Sequence, residues 1–277
     1  MARSGTVIVG FDSAWTDNAK APGALCVLRQ TAGGWQADEP MLARFGAALD
    51  VITAEAANCE KMLVAIDQPT IVPNATGSRP ADNVAASVVS FIGGGVQPAN
   101  RSKFGMFDDA APIWRFKVAV NASDDAEAAR TGDGKFLMEV FPALALASFA
   151  PRFHARRAAA RYNPANRKTF RPADWIAVVE LVADLAAKAG ITGLDAWCAH
   201  HALLAPPRKA DQDCLDAILC ALIGYHWLTA HRQHSVMIGD LTRGYMVVPA
   251  SADVRARLTR AAALRGVPID GMVPVMD

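Results

Sequence analysis

The chain lacks several things, and each absence removes a class of function. No run of about 18 apolar residues occurs in its 277 residues, which argues against a membrane span. Charge of one sign is missing too. Lys and Arg total 28 against 27 Asp and Glu, so the whole-protein field does not announce a nucleic-acid binder. Cysteine is sparse: Cys26, Cys59, Cys198, Cys214 and Cys220 are odd in number and show no Cys-x-x-Cys spacing, which fits reduced thiols and no zinc site. No Gly-x-Ser-x-Gly or Ser-x-x-Lys supports a serine nucleophile. The run Gly93-Gly94-Gly95 lacks the lysine and spacing of a P-loop and reads as a flexible turn. His200-His201 and His231-x-x-His234 have no carboxylate at zinc-protease spacing. With no signal peptide in view, a cytoplasmic location is expected.

What is present is an α/β pattern carrying acids at strand ends. Hydrophobic residues make up 52% of the chain, enough for a full core. Residues 6–12 and 62–67 are short β-branched runs, as central strands buried on both faces require, and each ends in an acid, Asp12 and Asp67. A carboxylate there is costly to bury alone. Between them, Gly23 to Arg29, a turn at Thr31–Gly34 and Trp35 read as a hairpin, then Ala47 to Cys59 as a helix. Lys135 to Pro142 reads as a fifth strand containing Glu139, and Ala143 begins a helix. Asp174 to Ala189 is an amphipathic helix closed by Gly190, and Asp195 to Leu204 is a shorter one. Lys209 to His231 is a helix in which Asp213 and Asp216, spaced i,i+3, share a face. A late hairpin at 235–249 and a surface helix at 252–265 follow. Neither a repeat nor a linker interrupts residues 1–277, so one domain is expected, with a loop-rich insertion at about 68–134 that has little room for regular structure outside Ala81 to Phe91.

Two accounts of the acids stand side by side. Like charges on one face call for a cation, and carboxylates from strand ends and a helix can hold two divalent ions, Mg²⁺ or Mn²⁺, for phosphodiester hydrolysis. Alternatively Asp12 and Asp67 cap turns, and Arg79, Arg101, Lys168 or Lys209 neutralises the set. Arg79, Arg101 and Lys103 in the insertion, with Arg167 and Lys168 in the basic stretch Arg152–Arg171, are the candidate phosphate contacts; the bland alternative for that stretch is a solvated surface. The Ala-rich helices at 143–150 and 177–189 could pack in the core or against a second copy, so a homodimer is among the expectations.

The motif order resembles the ribonuclease H-like superfamily, and within it the Holliday-junction resolvase branch. The pieces are Gly10-Phe11-Asp12, Ala65-Ile66-Asp67-Gln68-Pro69, Arg79-Pro80-Ala81-Asp82, Glu139-Val140-Phe141-Pro142 and Asp213-Cys214-Leu215-Asp216-Ala217. Taken together they are similar to an uncharacterised bacterial family described as predicted nucleases of that fold. The resemblance implies a five-stranded mixed sheet with its first three strands antiparallel, flanked by helices, with Asp12, Asp67, Asp213 and Asp216 as metal ligands in a nuclease. Glu139 either joins the catalytic set or pairs with an arginine. One departure stands out: Asp67 sits where the resolvases use the longer Glu. The alternative to a nuclease is an inactive nucleotide- or nucleic-acid-binding protein of the same fold.

Overall fold

In the computed structural model, residues 5–275 are described. In chain order they form β1 (Thr6–Asp12), β2 (Gly23–Thr31), β3 (Gly34–Ala37), β4 (Met41–Ala43), α1 (Phe45–Ala56), β5 (Lys61–Ile66), α2 (Pro80–Val89), α3 (Pro112–Val120), α4 (Ala126–Thr131), β6 (Gly134–Glu139), α5 (Pro142–Phe149), α6 (Pro172–Ala189), β7 (Ile191–Thr192), α7 (Asp195–Leu203), α8 (Lys209–Thr229), β8 (Ser235–Asp240), β9 (Gly244–Pro249) and α9 (Ala252–Ala263).

The central sheet is mixed and runs in the order β6-β5-β1-β2-β3-β7, with β4 paired to β2. Strands β1, β2 and β3 are antiparallel neighbours, while β5 and β6 run parallel to β1. The sheet has seven strands, not the five expected. The two additions are short edge pieces, β4 and β7, too brief to carry a period-2 pattern. A second sheet, the hairpin β8-β9, joins the first through a bridge between Val140 and Val247. The insertion holds more regular structure than its prolines suggested: Pro112 takes the first position of α3, where its missing N–H costs nothing, and the Asp125 carboxylate caps α4. Trp227 on α8 donates to the Ala126 carbonyl at 2.7 Å, tying α4 to the core.

Pleat alternation decides which acids meet. Val7, Val9, Phe11, Met62, Val64 and Ile66 pack against α1 and α3 on one face. Ile8, Leu63 and Ala65 point the other way, into the layer built from α6 and α8. With a side-chain period of two, Asp12 and Asp67 share the phase of the α8 layer. Gly10 lets α8 come close. A Cβ there would stand 2.2 Å from the Ala217 carbonyl oxygen and 2.3 Å from the Ala221 nitrogen. That contact lies two residues before Asp12 and one residue after Asp216. A separate cluster packs α2, α5, the β8-β9 hairpin and α9 together beyond the end of β6.

Candidate functional site

Asp12 ends β1, Asp67 follows β5 directly, and Asp213 and Asp216 lie in the first turns of α8. Asp213 and Asp216 are buried, whereas Asp12 and Asp67 are half-buried. The sheet and helix therefore bring together all four acids singled out from the sequence. Burial first, and then the neighbouring charges, push the Asp12 and Asp67 carboxyls well above the ordinary range. For Asp12 the neighbours are Asp216, Asp67 and Asp213; for Asp67 they are Asp216 and Glu139. Asp216 is pushed up to about 7, chiefly by burial, against the pull of Tyr162 and Lys209.

The surrounding donors are unevenly shared. Asp216 accepts from the Tyr162 hydroxyl at 2.6 Å and from the Gln212 amide one helical turn back. Lys209 pairs with Asp213. Burial alone would lower the Lys209 ammonium, yet Asp213, Asp12 and Asp216 hold it above its usual value. Among the described residues, no donor is hydrogen-bonded to the carboxylate of Asp12 or Asp67. No group of three or more His, Cys, Asp or Glu side chains among them is set closely enough to hold a metal ion as it stands.

Two cavities open here, separated by Trp15 and Gln97, which line both. One, of about 310 Å³, is bounded by Asp12, Ser13, Lys209 and Asp213. The other, of about 160 Å³, lies beside Asp67, Arg79 and Glu139. Ser13 donates to Gln68 Oε1 at 2.5 Å, and Trp15 Nε1 donates to the Asp67 carbonyl at 2.9 Å, so the loops after β1 and β5 are tied to each other.

Glu139 ends β6 and takes the second of its two expected roles. Its pleat phase is that of Leu137, which packs on the α1 and α3 face, so it points away from Asp12. It forms a buried cluster with Arg79 and Asp82, which are 0% and 3% exposed. Arg79 Nη2 contacts Asp82 Oδ1 at 2.7 Å and Glu139 Oε1 at 2.6 Å, Nη1 contacts Glu139 Oε2 at 2.8 Å and the Ile71 carbonyl at 3.2 Å, and Nε contacts Asp82 Oδ1 at 3.1 Å. All five N–H groups of the guanidinium are thus engaged, and Arg79 is a clamp inside the protein instead of a free phosphate contact. Burial raises the Glu139 carboxyl even with Arg79 beside it.

The remaining candidates lie outside the acid cluster. Arg101 pairs with Asp109 and stacks 4.7 Å from the Trp114 ring. Lys103 is partly exposed, and Arg167 and Lys168 are exposed. Tyr162 and Gln212 were not among the candidates. Gln212 could have been found, since i,i+4 spacing puts it on the face of Asp216. Tyr162 arrives on the irregular segment after α5, and nothing local in the sequence marks it. His201 stacks on Trp197 at 3.8 Å as a structural histidine. Among the described residues, no helix is long and apolar enough to cross a membrane.

No curated protein and no solved structure matches the chain. Residues 10–242, a stretch that takes in every acid of the cluster, match the family described as "Protein of unknown function (DUF429)", and the chain belongs to that family.

Proposed function

We propose that the chain is a divalent-metal-dependent phosphodiester hydrolase of ribonuclease H-like fold. The observation that carries the reading is the imbalance of charge: among the described residues Asp12, Asp67, Asp213 and Asp216 converge with one ammonium, Lys209, and two of the four accept no hydrogen bond there. Carboxylates that raise one another in this way are stabilised either by protons or by a cation. The donor set is all hard oxygen and so fits Mg²⁺ or Mn²⁺ in its chemistry. Asp12 and Asp67 would hold the ion from the sheet, with Asp213 and Asp216 from α8. Once bound, such an ion activates a water and stabilises a leaving oxygen. Gln212 and Tyr162 fix the orientation of Asp216, and Lys209 supplies positive charge at the edge of the cleft. The antiparallel β1-β2-β3 with β5 and β6 parallel to β1 supports the fold reading.

A second reading has its own observation. Lys209 stands on Asp213 in the position a cation would serve, which favours a nucleotide- or nucleic-acid-binding protein that does not cleave. Asp12→Asn separates the two. With Mn²⁺, hydrolysis of single-stranded, duplex and cyclic phosphodiesters by the wild type and its loss in Asp12→Asn support the hydrolase; binding without hydrolysis by the wild type supports the second reading.

A further inference from the structure

The 160 Å³ cavity beside Asp67 is built differently from the acidic cleft on the other side of Trp15. Its walls come from Trp15, Val96, Val140, Phe141 and Met246, with the Gln97 amide among them. Its polar floor is the cluster of Arg79, Asp82 and Glu139, where one guanidinium meets two carboxylates and has no N–H to spare. Such a floor offers nothing to a phosphate and repels one. An uncharged group with apolar faces suits it. A cavity of about 150 Å³ admits a benzene-sized ring, so this one takes a single six-membered ring.

Two further features point the same way. The Gln97 amide nitrogen donates one N–H to the Met106 sulfur at 3.5 Å; among the described residues its second N–H and its Oε1 have no hydrogen bond, which leaves one donor and one acceptor for the edge of a ring. Trp15 is held at φ 50°, a conformation costly for a bulky residue, by its bond to the Asp67 carbonyl and an edge contact with Phe107 at 5.3 Å. Strain of this kind persists where the surroundings over-determine it, and ligand clamps are such places.

We propose that this cavity seats one unstacked, pyrimidine-sized base of the substrate, with the attached sugar and phosphate passing Asp67 toward Asp12. The inference deepens the phosphodiester reading and rests on it for the course of the phosphate. It makes the ligand a free nucleotide or a single strand with a splayed base, not a continuous stacked duplex.

The test is metal-free titration of the whole protein with uridine and with ribose, in the wild type and in Val96→Trp, which fills the cavity from a loop. Uridine is expected to bind at least about tenfold more tightly than ribose, the scale of one base–aromatic stack, and Val96→Trp to erase the difference. Equal binding of the two, no binding of uridine, or an unchanged preference in Val96→Trp overturns the proposal. Because neither probe carries phosphate, these outcomes are independent of metal. Uridine binding without any Mn²⁺-dependent hydrolysis would leave the base site standing and remove the hydrolase. A thymidine hexanucleotide that binds more tightly than uridine 5′-monophosphate in Mn²⁺, and loses that gain in Val96→Trp, makes a strand the source of the base; no gain makes it a free nucleotide.

Discussion

Two clusters of acids meet at Asp67, and they are handled in opposite ways. Around Arg79, two buried carboxylates share one guanidinium whose every N–H is used, with the Thr70 and Ala99 amides added at 3.1 and 3.3 Å. Around Asp12, four carboxylates share one ammonium among the described residues, and two of them receive no hydrogen bond from those residues. The first arrangement is a structural joint. It fastens the segment after Asp67, through Thr70 and Ile71, to the end of β6 and the start of α2. The second arrangement costs stability and joins less: the Tyr162 hydroxyl ties the segment after α5 to Asp216, while the carboxylates of Asp12 and Asp67 accept no hydrogen bond among the described residues. Perturbed acids of this kind cluster at functional sites, which is what favours the proposed cation here.

The contrast can be broken most forcefully at its structural half. Arg79→Met leaves Asp82 and Glu139 buried without their counter-charge, and the expected loss is about 3–5 kcal/mol in urea unfolding. Arg79→Lys should recover only part of this, since an ammonium cannot reproduce the fork. Gly10→Ala comes next: its Cβ would collide with the α8 backbone, costing roughly 1–3 kcal/mol and displacing Asp213 and Asp216. Mn²⁺-induced stabilisation should then fall more than heat stability does.

At the acidic cleft the sign reverses. The Asp216 carboxyl is raised from 3.8 to about 7 in the folded protein, so it favours folding fully below pH 4 and penalises it increasingly as pH rises toward 7. Asp216→Asn should therefore stabilise the metal-free protein by roughly 1–3 kcal/mol at pH 8 and by little at pH 4. The Gln212 Oε1, which has no hydrogen-bond partner among the described residues, can turn to accept from the new amide. Metal affinity should rise between pH 6 and pH 8 as the same carboxyl ionises. A stability loss at pH 8 in Asp216→Asn would mean that its bonds to Tyr162 and Gln212 outweigh its charge. The smallest effect belongs to the surface: Arg167→Ala with Lys168→Ala should change stability by less than about 0.5 kcal/mol, and any effect should appear only in the salt dependence of nucleic-acid binding.

The sequence made the four acids legible because each sits on a strongly patterned element, two β-branched strands and one long helix. The antiparallel start and parallel return of the sheet followed from turn chemistry and a crossover length. The edge strands β4 and β7 carried too few residues to be seen. The fate of Glu139 was half legible: its strand was clear, but which neighbour it meets depends on pleat phase at the strand end and on Arg79, which is 60 positions away. Tyr162 was hidden because a long irregular segment, with no period of its own, delivers it to Asp216 from 54 positions away.

The cleft between Asp12, Asp67 and α8 is short of positive charge, and on the proposed function a divalent cation makes up the difference. Anomalous diffraction from a crystal soaked in Mn²⁺ at pH 8 tests this most directly. One or two peaks are expected within about 2.0–2.4 Å of carboxylate oxygens of Asp12, Asp67 and the α8 pair. A soaked crystal with no peak there, and Lys209 lying between Asp12 and Asp213, would contradict it.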